Sequence, residues 1–410
     1  MQLIDFINSN QIASEDKCSL RRWASERIKS HNPSNKHALW RRLSMRSVLS
    51  TPLKPVSRKS ETTQQSVAPE GVAQLVFVNG VFSTEQSSLN DHITVRSHQY
   101  SDDNIRGRWE SLLKSLPQNE VAAAITTMLS EQITCISIIR STQIKIVHQI
   151  TLSQGIVAMN LALDIAPNAQ VDCSQKIVST NKDQEVAIFV NRQVCLNHSS
   201  ILSDCFVDKV PSKLSYLQSQ GVSCGERAQY ENTHLVLGGR AIRHLHQVQL
   251  NEQRAQSRFY GIALASDKER YDQTIQMQHN ASQTQSEQQV KNVVRHNAIT
   301  NFTSRVYVKE GVSAIESEQL NHNLLMDDTA RALTSPELEI YADEVRCAHG
   351  ATVGTVDTKA LFYLRSRGLN KKQAEALLIR GFVSDTIEKF PPQAQREAMD
   401  VAKCYLAEIA

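Results

Sequence analysis

The chain has 410 residues, of which 40% are hydrophobic and 21% are charged, a composition typical of a folded globular protein with room for roughly two or three domains. Its formal net charge of +3 at pH 7 neither favours nor excludes a polyanionic partner. The N-terminal residues lack a basic segment followed by an apolar run, and no stretch of about 18 apolar residues occurs, so the sequence predicts a cytoplasmic protein without a membrane-spanning helix.

The N-terminal part of the chain combines a basic segment, a hairpin and a helix. Residues 17 to 59 contain twelve Lys or Arg and one acid, Glu26, around the amphipathic pattern LRRWASERI, which predicts a mobile basic arm or a loosely packed helical start. Two β-rich runs between residues 73 and 84 flank Asn79-Gly80, which predicts a type I′ hairpin because both turn residues accept positive φ. Apolar residues at helical spacing then predict a helix from about Trp109 to Leu129.

From about Cys135 to Val356 the sequence consists of short β-type runs separated by polar turns. The runs are ISIIR, IKIVHQITL, IVAMNLAL, EVAIFV, HLVLGG, FYGIALA, RVYVK and NLLM. Over roughly 220 residues these are too many strands for an ordinary sandwich, whereas a parallel β-helix accommodates them because each coil packs only on its neighbours. Asn321 and Asn323 are expected to form inward-facing ladders in such a stack. The segment LGGR (237 to 240) lacks the Lys-Ser/Thr of a nucleotide-binding loop, so we predict a turn there and no bound nucleotide.

Three helices are predicted at the C-terminal end. Asp357 is a suitable N-cap for the first helix and Gly368 ends it, Asn370 caps the second, and Pro391 and Pro392 begin the third. The predicted apolar face of the second helix consists of Ala374, Leu377, Leu378, Phe382 and Ile387. Such helices either cap the open end of a solenoid or offer a groove to a partner. The predicted domains are a basic helical region with a hairpin (1–130), the β-helix core (131–356) and a C-terminal helical region (357–410).

Cys347 and His349 lie two positions apart in a predicted strand and are the candidate metal ligands of the chain. Side chains at i and i+2 of a strand point to the same face, about 6 to 7 Å apart, so both can reach one object. A thiolate and an imidazole suit iron, zinc or copper, but a tetrahedral site needs two more ligands, from a remote coil or from another protein. The eight cysteines include no Cys-x-x-Cys pair, which argues against a self-contained zinc or iron-sulfur motif. Two ordinary buried side chains are the simpler alternative, and a catalytic pair is disfavoured because these side chains run side by side.

Long and unusual sequence strings surround this pair. They are PELEIYADEVRCAHGATVG (336 to 354), LFYLRSRGL (361 to 369) and NHNLLM (321 to 326). These strings resemble the C-terminal signature of the SufB/SufD family of iron-sulfur cluster assembly proteins, and Cys-x-His-Gly-Ala-Thr-Val-Gly with Leu-Arg-Ser-Arg-Gly resembles its SufD branch. Weaker similarity is found in HLVLGGRAIRHLHQVQLNEQ (234 to 253), in KHALWRR (36 to 42), and at Asp272, Thr274, His279 and Lys291.

The resemblance implies both a fold and a role. It implies a mainly β protein with a right-handed parallel β-helix core between N-terminal and C-terminal helical regions. It also implies a non-catalytic scaffold of the SUF system that pairs with SufB through the β-helices and binds the SufC ATPase through its C-terminal helices. In such a complex a nascent iron-sulfur cluster is held transiently and shared with SufB. His349, and with less weight Cys347, are then an interface half-site that SufB completes; in isolation the chain could form a homodimer.

Two other functions are compatible with parts of the sequence. The basic segment could bind nucleic acid, which would make the chain a β-solenoid binding protein, although stacking aromatic residues are sparse there. A β-helix enzyme acting on polysaccharides would need clustered carboxylates on one face and, usually, secretion. The sequence indicates neither of these two features.

Overall fold

The structure is a computed structural model of the chain. It describes residues 18–31, 70–100, 108–118, 120–130, 132–179 and 184–409, together with residues 2, 3, 5, 48 and 50–52. The helices are α1 (Ser19–Ser30), α2 (Arg108–Ser115), α3 (Val121–Leu129), α4 (Thr358–Ser366), α5 (Lys371–Ile387) and α6 (Pro392–Ile409). The first strands are β1 (Val72–Val78), β2 (Val81–Ser88), β3 (Ile93–Gln99), β4 (Gln132–Ile138), β5 (Thr142–Ile150), β6 (Gln154–Ile165) and β7 (Gln170–Ser179). The middle strands are β8 (Glu185–Leu196), β9 (Ile201–Val210), β10 (Ser215–Cys224), β11 (Gln229–Gly238), β12 (Ala241–Leu250) and β13 (Gln256–Ala265). The last strands are β14 (Arg270–His279), β15 (Gln285–Val294), β16 (Ile299–Val308), β17 (Ile315–Leu325), β18 (Arg331–Ile340) and β19 (Val345–Thr355).

Successive strands from β4 onward alternate between two sheets. A ten-stranded sheet has the order β19-β17-β15-β13-β11-β9-β7-β5-β1-β2, and a nine-stranded sheet has the order β18-β16-β14-β12-β10-β8-β6-β4-β3. From β4 on, neighbours within each sheet are parallel, so each coil contributes one strand to each sheet and the chain makes about eight turns. The predicted β-solenoid with N-terminal and C-terminal helices is confirmed.

Several turns between successive strands have left-handed backbone conformations. In the segment LGGR, Gly238 and Gly239 have φ of +83° and +81° and join β11 to β12, as predicted. A Cβ atom at residue 238 would lie 2.3 Å from the carbonyl oxygen of Val210, so the turn requires glycine there. The two strands of this coil are thereby held close to the coil before them.

The interior between the sheets contains a large apolar cluster, buried polar side chains in its middle coils, such as Arg192 paired with Asp204, and an asparagine ladder at its C-terminal end. Asn323 donates to Asn321 Oδ1 at 2.7 Å, and Asn292 of the preceding coil donates to Asn323 Oδ1 at 2.7 Å. Asn321 also donates to the carbonyl of Val290 at 3.2 Å. The predicted inward asparagine ladder is confirmed, and it satisfies polar groups that would otherwise be costly to bury.

Helices cover the outer faces of both sheets. On the nine-stranded sheet, α3 packs with α1 over Phe189, Leu217 and Ala241. On the ten-stranded sheet, the C-terminal helices bury Leu235 and Ile262 beneath a cluster of their own residues, including Ile379, Val383, Ile387 and Phe390. Of the two predicted roles for these helices, a cap on the open end or a groove for a partner, the cap is wrong, because the helices pack along the flank. They lie along the flank because the outer faces of β11 and β13 carry apolar side chains, such as Leu237 and Leu264, that must be removed from water.

The N-terminal region differs from the prediction in two respects. The hairpin at Asn79-Gly80 is present, but β1 also pairs in parallel with β5, and β3 pairs with β4, so both sheets begin before residue 131. The single helix predicted from Trp109 to Leu129 is wrong, because α2 ends and α3 begins on either side of Pro117, whose ring and missing N–H break a helix. The predicted domain limits stay predictions.

The basic segment is described only in part. Residues 19–30 form α1, whose Leu20, Ala24 and Ile28 are buried, so this stretch is a packed helix rather than a mobile arm. Arg27 is itself buried and donates to the carbonyl of Leu116 at 2.9 Å. Most of the remaining residues between 17 and 59, including KHALWRR (36 to 42), lie outside the described residues.

The C-terminal helices begin where predicted. Asp357 accepts a hydrogen bond from the backbone N–H of Lys359, and Asn370 forms a capping box with Gln373. The predicted apolar face of α5 is wrong in part, since Leu377 is 47% exposed while the buried set is Ala374, Ile379, Val383, Thr386 and Ile387. Within the described ranges, no helix combines the length and apolar character needed to cross a bilayer.

Candidate functional site

The predicted half-site, Cys347 and His349, lies on β19, the terminal strand of the ten-stranded sheet. Cys347 lies opposite Ser317 of β17, and His349 lies opposite Gln319. Ser317 and Gln319 are buried and belong to the inward-facing row of β17. Since side chains in register on neighbouring parallel strands point to the same face, Cys347 and His349 continue this inward row at the last coil.

The two residues nevertheless have different environments. Cys347 is half-buried, packs against the solenoid core, and lines an open polar groove of about 570 Å³ with Ser286, Ser317 and Glu316. Burial raises the pKa of the Cys347 thiol. His349 is exposed to solvent. A thiol with a raised pKa is not an activated nucleophile, so the geometry gives no support to a catalytic Cys-His pair.

The half-site lacks converging ligands of its own among the described residues. A set of three or more His, Cys, Asp or Glu with donor atoms close together is found there only at His234, His244 and His246, far from β19 in sequence. His322, on β17, instead shares a hydrogen bond of 3.0 Å with Thr352. The two ligands that a tetrahedral site still needs are therefore not provided near Cys347 and His349 in the described part of the chain.

The last coil is the open end of the solenoid. Within the described part of the chain, β18 pairs only with β16 and β19 only with β17, so each sheet ends in an edge strand with unpaired backbone groups. Three large apolar side chains on or directly after these strands are exposed: Leu333 by 41%, Tyr341 by 56% and Val353 by 47%. An exposed edge strand with apolar side chains is a template for pairing with another chain.

A second exposed apolar surface lies on α4, immediately after β19. This helix has no buried residue, and its Phe362 and Tyr363 are 76% and 56% exposed. By contrast, α5 is attached to the solenoid, because Lys291 of β15 donates to the carbonyl of Phe382 at 2.7 Å and to Asp385 at 2.6 Å. In the C-terminal region, α4 is therefore exposed to solvent, while α5 is fixed to the solenoid.

Two of the residues with weaker sequence similarity, Asp272 and His279, make hydrogen bonds within the solenoid. Asp272 accepts from Arg243 at 3.3 Å and from Asn301 at 2.7 Å. His279 is buried between hydroxyl groups of Thr284 and Ser286 at 2.8 and 2.9 Å. These contacts are structural, so the similarity at these positions concerns the fold rather than a reaction.

Sequence reasoning missed the cluster of His234, His244 and His246, which lies inside the solenoid. The pattern His-x-His at 244 to 246 carries the same signal as Cys347 and His349, namely two potential ligands on one face of a strand. The third member is on the neighbouring strand of the same coil, ten residues earlier, beyond the Gly238-Gly239 turn. Only the coil geometry brings it to the other two.

Comparison with known proteins identifies relatives across most of the chain. A family model described as SUF system FeS cluster assembly, SufBD core domain, matches residues 148–382. The chain is 26% identical over 369 residues to the iron-sulfur cluster assembly protein SufD of Escherichia coli, with 87% of this chain and 85% of that protein aligned. It is 28% identical over 338 residues to an iron-sulfur cluster assembly SufBD family protein of Synechocystis, with 78% and 74% aligned.

Proposed function

The chain belongs to the SufBD family of the SUF system for iron-sulfur cluster assembly, on its SufD branch, and we propose that it is a scaffold subunit without a catalytic activity of its own. In this proposal the open end of the solenoid pairs with SufB, and a nascent cluster forms transiently between the two chains. The relatives named above are themselves called assembly proteins, which supports a role in assembly.

The observation that carries the proposal is the exposure of His349 at the end of an inward-facing row. Its equivalents in the two preceding coils, Gln319 and Gln288, are both 0% exposed. An imidazole at that position is held by a regular strand, is exposed to solvent at the last coil, and can meet a ligand from a second chain. Imidazole suits iron, and the missing ligands then come from SufB.

Cys347 contributes less directly to this half-site. Its thiol is half-buried and has a raised pKa, so it is protonated at neutral pH unless a metal ion or a partner's cation displaces the proton. The groove that it lines is open to solvent, so a reactant can reach its sulfur from the side. His349 is therefore the primary ligand in the proposal and Cys347 the secondary one.

Pairing through the terminal coil follows from the chemistry of sheet edges. Joining β18 or β19 to strands of SufB satisfies backbone groups that the described residues leave unpaired and covers Leu333, Tyr341 and Val353. The proposal places the SufC ATPase on the C-terminal helices, where α4 exposes Phe362 and Tyr363 beside the same end of the solenoid. ATP hydrolysis on SufC would then act close to the half-site.

Co-purification tests the proposal. The full chain, carrying a cleavable tag, is co-expressed with a SufB chain and a SufC chain, and the eluted components are quantified. We expect both partners to elute with the chain, and isolated chain reconstituted anaerobically with iron and sulfide to give no stoichiometric chromophore. Elution of the chain alone or with nucleic acid only, or a stable cluster on the isolated chain, would contradict the proposal.

A further inference from the structure

Three histidines meet in the interior of the coil formed by β11 and β12. His234 projects inward from β11, and His244 and His246 project inward from β12. The ring centroid of His234 lies 4.0 Å from that of His244 and 5.7 Å from that of His246. One ring nitrogen from each residue lies within 4.8 Å of the others. The cluster thus spans the two sheets of one coil.

All three imidazoles of this cluster are buried, and two of them lack hydrogen-bond partners among the described residues. Neither ring nitrogen of His244 or His246 has a hydrogen-bond partner among the described residues. All three side chains are at least 96% shielded from solvent, with exposures of 4%, 4% and 1% for His234, His244 and His246. A polar group buried without a partner destabilises the fold, so a ligand for these nitrogens is the expected explanation in a native core.

The protonation state of the cluster suits a metal ion. Burial lowers the pKa of His234 and of His246 to about 3, and it lowers the pKa of His244 well below the ordinary value. The neutral imidazole that results is the form that coordinates metals. The buried charges that act on these imidazoles are Arg192, Asp204 and Arg243. Arg192 is paired with Asp204, and Arg243 is paired with Glu120 and Asp272, so these groups add no net positive charge against a bound cation.

There is room beside the rings for a fourth ligand. A cavity of about 20 Å³ is lined by residues that include His234, His244, Gln273 and Asn292. This is enough for about one water molecule.

We propose that His234, His244 and His246 bind a divalent transition-metal ion, such as Zn²⁺, inside the solenoid, with water as the fourth ligand. Metal–nitrogen bonds of about 2.0 to 2.1 Å hold tetrahedral ligand nitrogens about 3.3 Å apart, so binding draws the ring nitrogens together by at most about 1.5 Å. The ion cross-links β11 to β12 and satisfies the buried nitrogens. This site is separate from the half-site and does not depend on the proposed scaffold role.

The test measures metal bound to the full chain, because a site closed on all sides is filled while the chain folds. The chain is expressed with a cleavable tag free of histidine, in medium supplemented with Zn²⁺ or depleted by a chelator. Native mass spectrometry and elemental analysis then give the bound metal, and thermal melting gives the stability. We expect about one zinc per wild-type chain and a higher melting temperature than for chain made without zinc.

Variants identify the ligands. His244→Leu/His246→Leu and the milder His246→Gln are expected to lower zinc binding by at least about tenfold. Two controls should keep the metal: His148→Leu, which removes another buried histidine whose ring nitrogens also lack hydrogen-bond partners among the described residues, and Cys347→Ala/His349→Ala, which removes the half-site.

Two results would overturn the inference. The first is wild-type chain that is folded yet holds no zinc and melts at the same temperature with and without it. The second is zinc that persists in His246→Gln or disappears in the Cys347→Ala/His349→Ala control. The wild-type measurement decides the matter even if the double leucine variant does not fold.

Discussion

His349 lies directly opposite Gln319 in the last parallel strand pair of the ten-stranded sheet, yet Gln319 is fully buried and His349 is exposed. The spacing between neighbouring strands is only about 4.8 Å. The same inward-facing row is therefore buried at β17 and exposed at the next strand, β19, where it carries a potential metal ligand. This change in exposure arises because β19 has no outer neighbour in the described part of the chain.

If SufB pairs with the terminal coil, a charge on the β19 edge should block the pairing. We expect Val353→Lys to abolish co-purification with SufB while changing the free energy of unfolding by no more than about 0.5 kcal/mol. Val81→Lys is the matched control, since Val81 is 44% exposed, compared with 47% for Val353, and lies on β2 at the opposite edge of the same sheet. Equal SufB recovery from both variants would exclude the β19 edge as the interface.

The proposed docking of SufC on α4 predicts a large effect of one exposed aromatic residue. Phe362→Ala should weaken SufC binding at least about tenfold, because aromatic anchors dominate such contacts, and it should leave the melting temperature unchanged. Leu377→Ala, on the exposed side of α5, is the control. Surface plasmon resonance with purified SufC measures both affinities, and an unchanged affinity for Phe362→Ala would place the ATPase elsewhere.

The attachment of the N-terminal helices depends on a buried ion pair. Arg243 of β12 donates to both carboxylate oxygens of Glu120 at 2.9 and 2.6 Å, and also contacts Asp272. Arg243→Met leaves two buried carboxylates without their cation and should cost about 3 to 5 kcal/mol in urea unfolding. Lys403→Met removes the exposed pair with Asp400 and should cost less than about 0.5 kcal/mol. Similar costs for the two variants would contradict this account of the attachment.

One buried acid makes the stability of the solenoid dependent on pH. Burial raises the pKa of Asp208 to about 6, although the backbone N–H of Ile177, at 2.7 Å, favours the charged form. The unfolded chain has an ordinary aspartate pKa of about 3.9, so the folded state binds the proton more tightly. Stability from this group therefore falls as pH rises from about 4 to about 6 and stays low above that range.

Replacing Asp208 by a residue that cannot ionise should prevent this loss of stability at higher pH. We expect the free energy of unfolding of Asp208→Asn, relative to wild type, to increase by about 1 to 2 kcal/mol between pH 5 and pH 8. Urea unfolding of both proteins at the two pH values measures this difference. A constant difference between the two proteins, or one of opposite sign, would show that Asp208 does not titrate in this window.

Much of the fold could be predicted from local sequence patterns. The short β-type runs, the glycine turn at residues 238 and 239, and the caps at Asp357 and Asn370 depend on neighbouring residues only, and the structure confirms them. The position of the C-terminal helices could not be predicted in this way. It depends on which outer faces of the strands are apolar. The runs HLVLGG and FYGIALA have apolar residues at successive positions, so their sequence does not show which face points to the core.

The candidate sites, too, were predictable where they depend on neighbouring residues and not where they depend on the arrangement of the coils. Cys347 and His349 could be found because two ligands on one strand face are visible as an i, i+2 pattern. The cluster around His244 and His246 shows that pattern too, but its third member, His234, is brought in by the coil. Nor could the sequence alone indicate that His349 is exposed and Cys347 half-buried, because this depends on which coil is the last.

The central claim is that His349 is a ligand at an interface rather than a residue needed for folding. The most direct measurement is the iron and acid-labile sulfide content of the complex co-expressed with SufB and SufC, with His349→Ala compared with wild type and with His198→Ala, an exposed histidine in the turn between β8 and β9. We expect His349→Ala to assemble the same complex with iron and sulfide lowered at least about tenfold, as loss of a metal ligand or its support typically causes, while His198→Ala matches wild type. Equal iron and sulfide in His349→Ala and wild type would contradict the account.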